Sequence, residues 1–197
     1  MLNDRVREDL LYRLRWNILT ALDDIKIAIG PCDQTTNVPL FSHPLADESV
    51  ANPPFTRINV CISECLNKVD IRMEEYQYKP PPALIIDNED GKPITLGQFV
   101  AQTHAYLNLY IEELKQAKGE LYGKVSVNED GIWTRTISDE PYLPPNIAFF
   151  FKRVFAVQIG QIVRFSTQCF AEGENFLSTD QFWTTQSRLA HSREQNS

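Results

Sequence analysis

The sequence predicts an α+β fold: a mostly antiparallel sheet with a long N-terminal helix and a central helix, at about 96–118, packed on it. Three observations predict it. Apolar residues recur at three- and four-residue spacing over 3–29 and again over 96–118, which is the helical period. Elsewhere they alternate with polar residues, as in half-buried strands. Finally, strands and helices do not alternate regularly, which argues against a doubly wound parallel sheet.

Over 3–29, Val6, Leu10, Leu11, Leu14, Ile18, Leu22, Ile25 and Ile29 gather on one helical face, with Asn3 as cap and Gly30-Pro31 as stop. At 1.5 Å per residue such a helix is roughly 40 Å long. The next stretch, 31–56, holds five of the twelve prolines and little periodicity, and predicts an extended loop. Alternation returns at Ile58, Val60 and Ile62, then at Val69, Ile71 and Met73 across Asn67-Lys68, and predicts a hairpin. Pro80-Pro81-Pro82 breaks the chain before a short buried strand at 83–87. Thr95 with Gln98 forms a capping box, Ile94 staples onto Phe99, and the helix that follows ends at Gly119.

A second hairpin is expected over 124–138, followed by a loop at Pro141, Pro144 and Pro145. Residues 146–170 fit both periods: Phe151, Phe155, Ile159 and Ile162 at helical spacing, or Phe155, Val157, Ile159, Val163 and Phe165 at strand spacing. Their β-branched and aromatic content tilts the reading towards strands. Ser178 with Gln181 is another capping box, opening a short C-terminal helix through Phe182, Trp183, Leu189 and Ala190 and a polar tail at 192–197. All of 1–197 is expected to form a single α+β domain.

With 43% apolar and 23% charged residues the chain is ordinary globular material. Its 19 Lys+Arg against 26 Asp+Glu give a net charge of −7, which argues against phosphate-backbone binding and so against a nucleic-acid partner. The acidity is central: residues 64–140 carry 14 acidic and 8 basic residues, whereas 141–197 carry 4 and 5. The N-terminus has no apolar run of a secretory signal, and the apolar stretch 147–159 is broken by Lys152, Arg153 and Gln158. Neither export nor membrane insertion is expected. Four cysteines are too few for a disulfide scaffold and point to a reducing, cytoplasmic location.

Several candidate sites have a plainer reading beside them. Asn88-Glu89-Asp90-Gly91 and Asn128-Glu129-Asp130-Gly131 are the same acidic tetrapeptide, but neither has the alternating ligands of a calcium loop, so both read as glycine-containing turns. Cys61-x3-Cys65, with Cys32 and His43, lacks the second pair a zinc site needs, and no metal or cofactor is expected. On a strand, Cys61 and Cys65 would share one face and one of them would be half exposed. His104, with Tyr106 beside it, is the candidate acid–base pair, against the plainer reading of a hydrogen-bonded histidine at the edge of the core. Phe176, Phe182 and Trp183 are the candidate interaction surface. There is no G-x-S-x-G elbow, phosphate-cradling P-loop, G-x-G-x-x-G or H-E-x-x-H. The first expectation is therefore a non-enzymatic protein-interaction or assembly module, binding another protein or a second copy. The alternative is a small-molecule binder or enzyme with a pocket between the sheet and the 96–118 helix, using His104.

Overall fold

The computed structural model describes residues 2–32, 34–71, 78–122, 124–127, 133–136 and 147–195. A four-residue helix α1 (Glu8–Leu11) leads into a three-stranded antiparallel sheet of β1 (Leu14–Arg15), β2 (Lys26–Ile29) and β3 (Thr36–Pro39). Next come β4 (Arg57–Ile62), α2 (Ser63–Ile71), β5 (Leu84–Asp87), α3 (Leu96–Leu109) and α4 (Ile111–Tyr122). An antiparallel pair, β6 (Lys124–Val127) and β7 (Trp133–Thr136), precedes the long hairpin of β8 (Phe149–Ile159) and β9 (Ile162–Ala171). Helix α5 (Thr179–Glu194) follows. The class is α+β. The main sheet runs β5-β4-β9-β8 and is mixed, because β4 and β9 are parallel while its other pairs are antiparallel.

The long N-terminal helix is a misreading. Most of its apolar positions are buried, but in separate elements: Leu10 and Leu11 in α1, Leu14 in β1 and Ile25 at the entry to β2, while Leu22 and Ile29 are only partly covered. Between them, residues 16–18 extend the main sheet along β8, where Phe151 N–H donates to the Trp16 carbonyl at 3.0 Å and Ile18 N–H to the Phe149 carbonyl at 2.7 Å. Pairing with a strand more than 130 residues away satisfies this backbone and still buries Trp16 and Ile18, so tertiary contact overrides the helical spacing. Gly30 does end the segment, at φ +90°, turning β2 towards β3.

The hairpin expected over 57–73 is half right. Strand β4 forms, but α2 starts directly after Ile62, turning Cys65 and Lys68 inwards at helical spacing; Met73 lies outside the described residues. The proline-rich 31–56 segment is packed rather than loose. It contains β3 and two 3-10 turns, and residues 48–52 are held on both sides, by Arg7 N–H to the Val50 carbonyl and by Val50 N–H to the Ile94 carbonyl, both at 3.0 Å.

Thr95 caps α3 as expected, its hydroxyl accepting from Gln98 N–H at 3.1 Å, although the Gln98 side chain turns to Asn88 instead of closing the box. The single 96–118 helix is two helices, broken at Tyr110 (φ −112°, ψ 25°), and Gly119 lies inside α4 rather than ending it. Residues 149–171 are strands. The Ser178–Gln181 box is complete, and α5 runs to 16 residues, longer than expected.

Alternation gives the sheet two faces. Val60, Phe165 and Ala156 form one inward row, and Phe99 of α3 packs edge-on to Phe165 and Phe151. A bulge between Phe151 and Arg153 resets the parity of β8, so Phe149 and Phe151 point inwards, as do Val154 and Ala156 beyond it. Arg153, Phe155 and Val157 consequently turn to the outer face. There Phe150 and Phe170 are covered by Phe182 of α5, whose ring stacks on Phe170 at 4.2 Å.

Candidate functional site

His104 and Tyr106, two apart on α3, point to different surroundings. The Trp16 indole N–H donates to His104 Nδ1 at 3.0 Å, which puts the ring proton of the neutral imidazole on Nε2. Asn108, one turn on, ties the same region down by donating to the Ile18 carbonyl at 2.9 Å. Burial lowers the His104 pKa below its ordinary 6.5, and a backbone hydrogen bond to Thr20 opposes this only in part. Tyr106 lies in the core, edge-on to Tyr110; burial raises its phenol pKa, and its hydroxyl has no hydrogen-bond partner. His104 thus clamps α3 to the 16–18 segment, and among the described residues no carboxylate orients it as a base.

Of the proposed aromatic surface, Phe182 is buried against Phe150 and Phe170, and Trp183 is partly covered by Phe150 and by the Arg15 guanidinium at 4.9 Å. Phe176 sits in a 3-10 turn, and its side chain lies outside the described residues. Cys61 and Cys65 are both buried, Cys65 on a helix rather than on a strand, and burial pushes the Cys65 thiol up to about 12. Among the described residues no group of His, Cys, Asp and Glu is arranged to hold a metal ion. At the first acidic tetrapeptide, Gly91 takes φ +75° and Asp90 accepts from Lys92 N–H, which is turn chemistry; the second, 128–131, lies outside the described residues.

Sequence reasoning missed a buried charge cluster where β4 stops. Ile62 is the last β4 residue paired with β9, opposite Thr167, so the Cys169 and Ala171 backbone groups on that side lose their strand partner. Side chains replace it. Glu64 Oε1, at the start of α2, accepts from Cys169 N–H at 2.9 Å, and Glu174 Oε2 accepts from Ala171 N–H at 3.2 Å. Lys118 of α4 lies between them, 3.2 Å from Glu64 and 2.8 Å from Glu174, and also donates to the Cys169 carbonyl. Lys152, at the bulge, stands 3.6 Å from Glu174. The only sequence signal was Lys118 continuing the stripe of Leu107, Ile111 and Leu114, where a lysine normally marks the exit to solvent. With each carboxylate tied to a backbone N–H and to a shared ammonium, the cluster joins α2, α4 and β9.

The outer face is uncovered at the hairpin end. Ile85, Asn59, Arg164 and Val157 form one row across all four strands, and the Ile159–Ile162 pair lies two residues further on the same face. Ile85, Ile159 and Ile162 are each at least half exposed, and Val157 is 38% exposed. Arg164 Nε, on the same face, is buried and has no hydrogen-bond partner among the described residues.

These features define an α+β protein built on a mixed four-stranded sheet, with one face covered by α3 and the other open at its hairpin end. No family model, no curated protein and no solved structure matches the chain. No helix among the described residues is long and apolar enough to cross a membrane.

Proposed function

We propose that the chain is a non-enzymatic protein-interaction or assembly module whose contacts are made at the hairpin end of the outer sheet face. One observation carries this: Ile85, Val157, Ile159 and Ile162 are grouped on one face around Arg164. Exposed apolar side chains beside a charge are the usual composition of a contact patch. The partner this favours is an apolar segment bearing a carboxylate, which the positive charge of Arg164 would attract. Residues 149–171 hold three cations and no Asp or Glu, whereas 64–140 have a net charge of −6, so a second copy of the chain carries the complementary charge.

Sedimentation equilibrium from low to high micromolar concentration tests the self-assembling form. The expected result is a mass that rises with concentration in the wild type and stays monomeric in Ile159→Asp and Ile162→Asp, whose exposed positions tolerate the change. A wild type that remains monomeric throughout, or association that both variants retain, removes it.

A further inference from the structure

Beside α5, away from the hairpin, the start of β1 and the turn after β2 form a small cleft lined by Arg13, Arg15, Cys32, Thr35, Ser187 and His191. Arg13, in the turn before β1, and Arg15, in β1, both line it. Arg13 donates to the Ala28 carbonyl at 3.0 Å and pairs with Glu194, which also lies 3.8 Å from His191. Arg15 differs. Its guanidinium donates to the Tyr12 carbonyl at 3.2 Å and to Ser187 Oγ at 2.6 Å and lies over Trp183, yet no carboxylate among the described residues pairs with it. Burial, with the repulsive charge of Arg13 added, brings Arg15 down to about 10.

A largely buried cation beside a second cation is unfavourable in itself, and more so to leave unpaired in a chain of net charge −7 that has carboxylates to spare. An anion entering the cleft would relieve it. Arginine forks bind oxyanions through parallel charge-assisted hydrogen bonds, and the Ser187 and Thr35 hydroxyls add donors. The cleft is open to solvent and its volume, about 10 Å³, admits one water-sized group, so one oxygen seats while the rest of the anion faces solvent. We infer that this cleft binds a small tetrahedral oxyanion of the phosphate class between Arg13 and Arg15. It stands apart from the hairpin surface and does not depend on it.

Thermal unfolding near neutral pH in inorganic phosphate and in sodium chloride, compared at equal ionic strength, tests this. Phosphate is expected to raise the melting temperature saturably, by about 2–4 °C at five times its Kd, while chloride gives no saturable rise. Arg15→Gln abolishes the phosphate response, and Arg188→Gln, which removes an exposed cation elsewhere on α5, keeps it. Should Arg15→Gln fail to fold, Ser187→Asp carries the test: a carboxylate fixed against Arg15 raises the melting temperature in phosphate-free buffer and removes the phosphate response. An equal effect of the two salts, or a phosphate response that survives Arg15→Gln or Ser187→Asp, overturns the inference. Ile162→Asp keeps the response, which separates a failure here from a failure of the hairpin interface.

Discussion

The indole N–H of Trp16 donates to Nδ1 of His104 across 3.0 Å, joining the segment that extends the sheet edge to the helix packed beneath it. The bond exists only while His104 is neutral. Because its folded pKa lies below 6.5, the unfolded chain takes up this proton first. The contribution is therefore full above pH 6.5 and declines as pH falls through that value towards the folded pKa. Urea midpoints between pH 7 and 5 are expected to fall more steeply in the wild type than in His104→Gln, which accepts the indole proton but does not titrate. Parallel slopes would remove His104 from the account.

Replacing Lys118 removes the ammonium that the buried carboxylates of Glu64 and Glu174 share. Lys118→Met is expected to cost about 3–5 kcal/mol, the range for breaking a buried ion pair from one side. Glu64→Gln keeps an acceptor for Cys169 N–H and costs less. Urea unfolding of both variants reads the difference, and a Lys118→Met loss below that of Glu64→Gln would mean the lysine is not what holds the cluster.

Phe182 is the anchor of α5 on the outer face. Phe182→Ala is expected to cost about 3–5 kcal/mol, as for other buried aromatics. Hydrogen exchange should show the loss first in α5, with the α3 amides still protected, because Phe182 touches Phe150, Phe170 and Trp183 rather than the main core.

Gly97, in the first turn of α3, is required by space rather than by conformation. A Cβ there would stand 3.1 Å from the Ala46 carbonyl oxygen and 3.3 Å from its Cβ. The gain of about 1 kcal/mol in helix propensity from Gly→Ala is opposed by overpacking costs of about 1–3 kcal/mol. Because a backbone atom makes the closest contact, Gly97→Ala is expected to lower the melting temperature; a rise would show that the Pro44–Asp47 turn gives way.

What could be read from the sequence was local. The Thr95 and Ser178 caps, β4, β5 and the strand reading of 146–170, realised as Phe149–Ile159 and Ile162–Ala171, depend on neighbours within a few residues. The failures depended on distant partners. Leu14 and Ile18 keep a helical spacing by coincidence, because what buries them is β2 and β8. The candidate site was less legible than the fold: the outer apolar face exists because a bulge at Lys152 shifts Val157 to the side of Ile85, and one extra residue leaves no periodic trace. Glu64, Lys118 and Glu174 are far apart in the chain and look like ordinary surface charges until the end of β4 brings them together.

The parallel pairing of β4 with β9 also has a consequence for synthesis. Asn59 meets Arg164, and the Cys61 carbonyl accepts from the Thr167 hydroxyl, across more than a hundred residues. At about 5–20 residues per second, β4 waits several seconds after leaving the ribosome before its central partner exists. During that time the β4 edge that β9 will occupy stays open. A chain ending before residue 162 lacks β9 and so leaves β4 without its central partner.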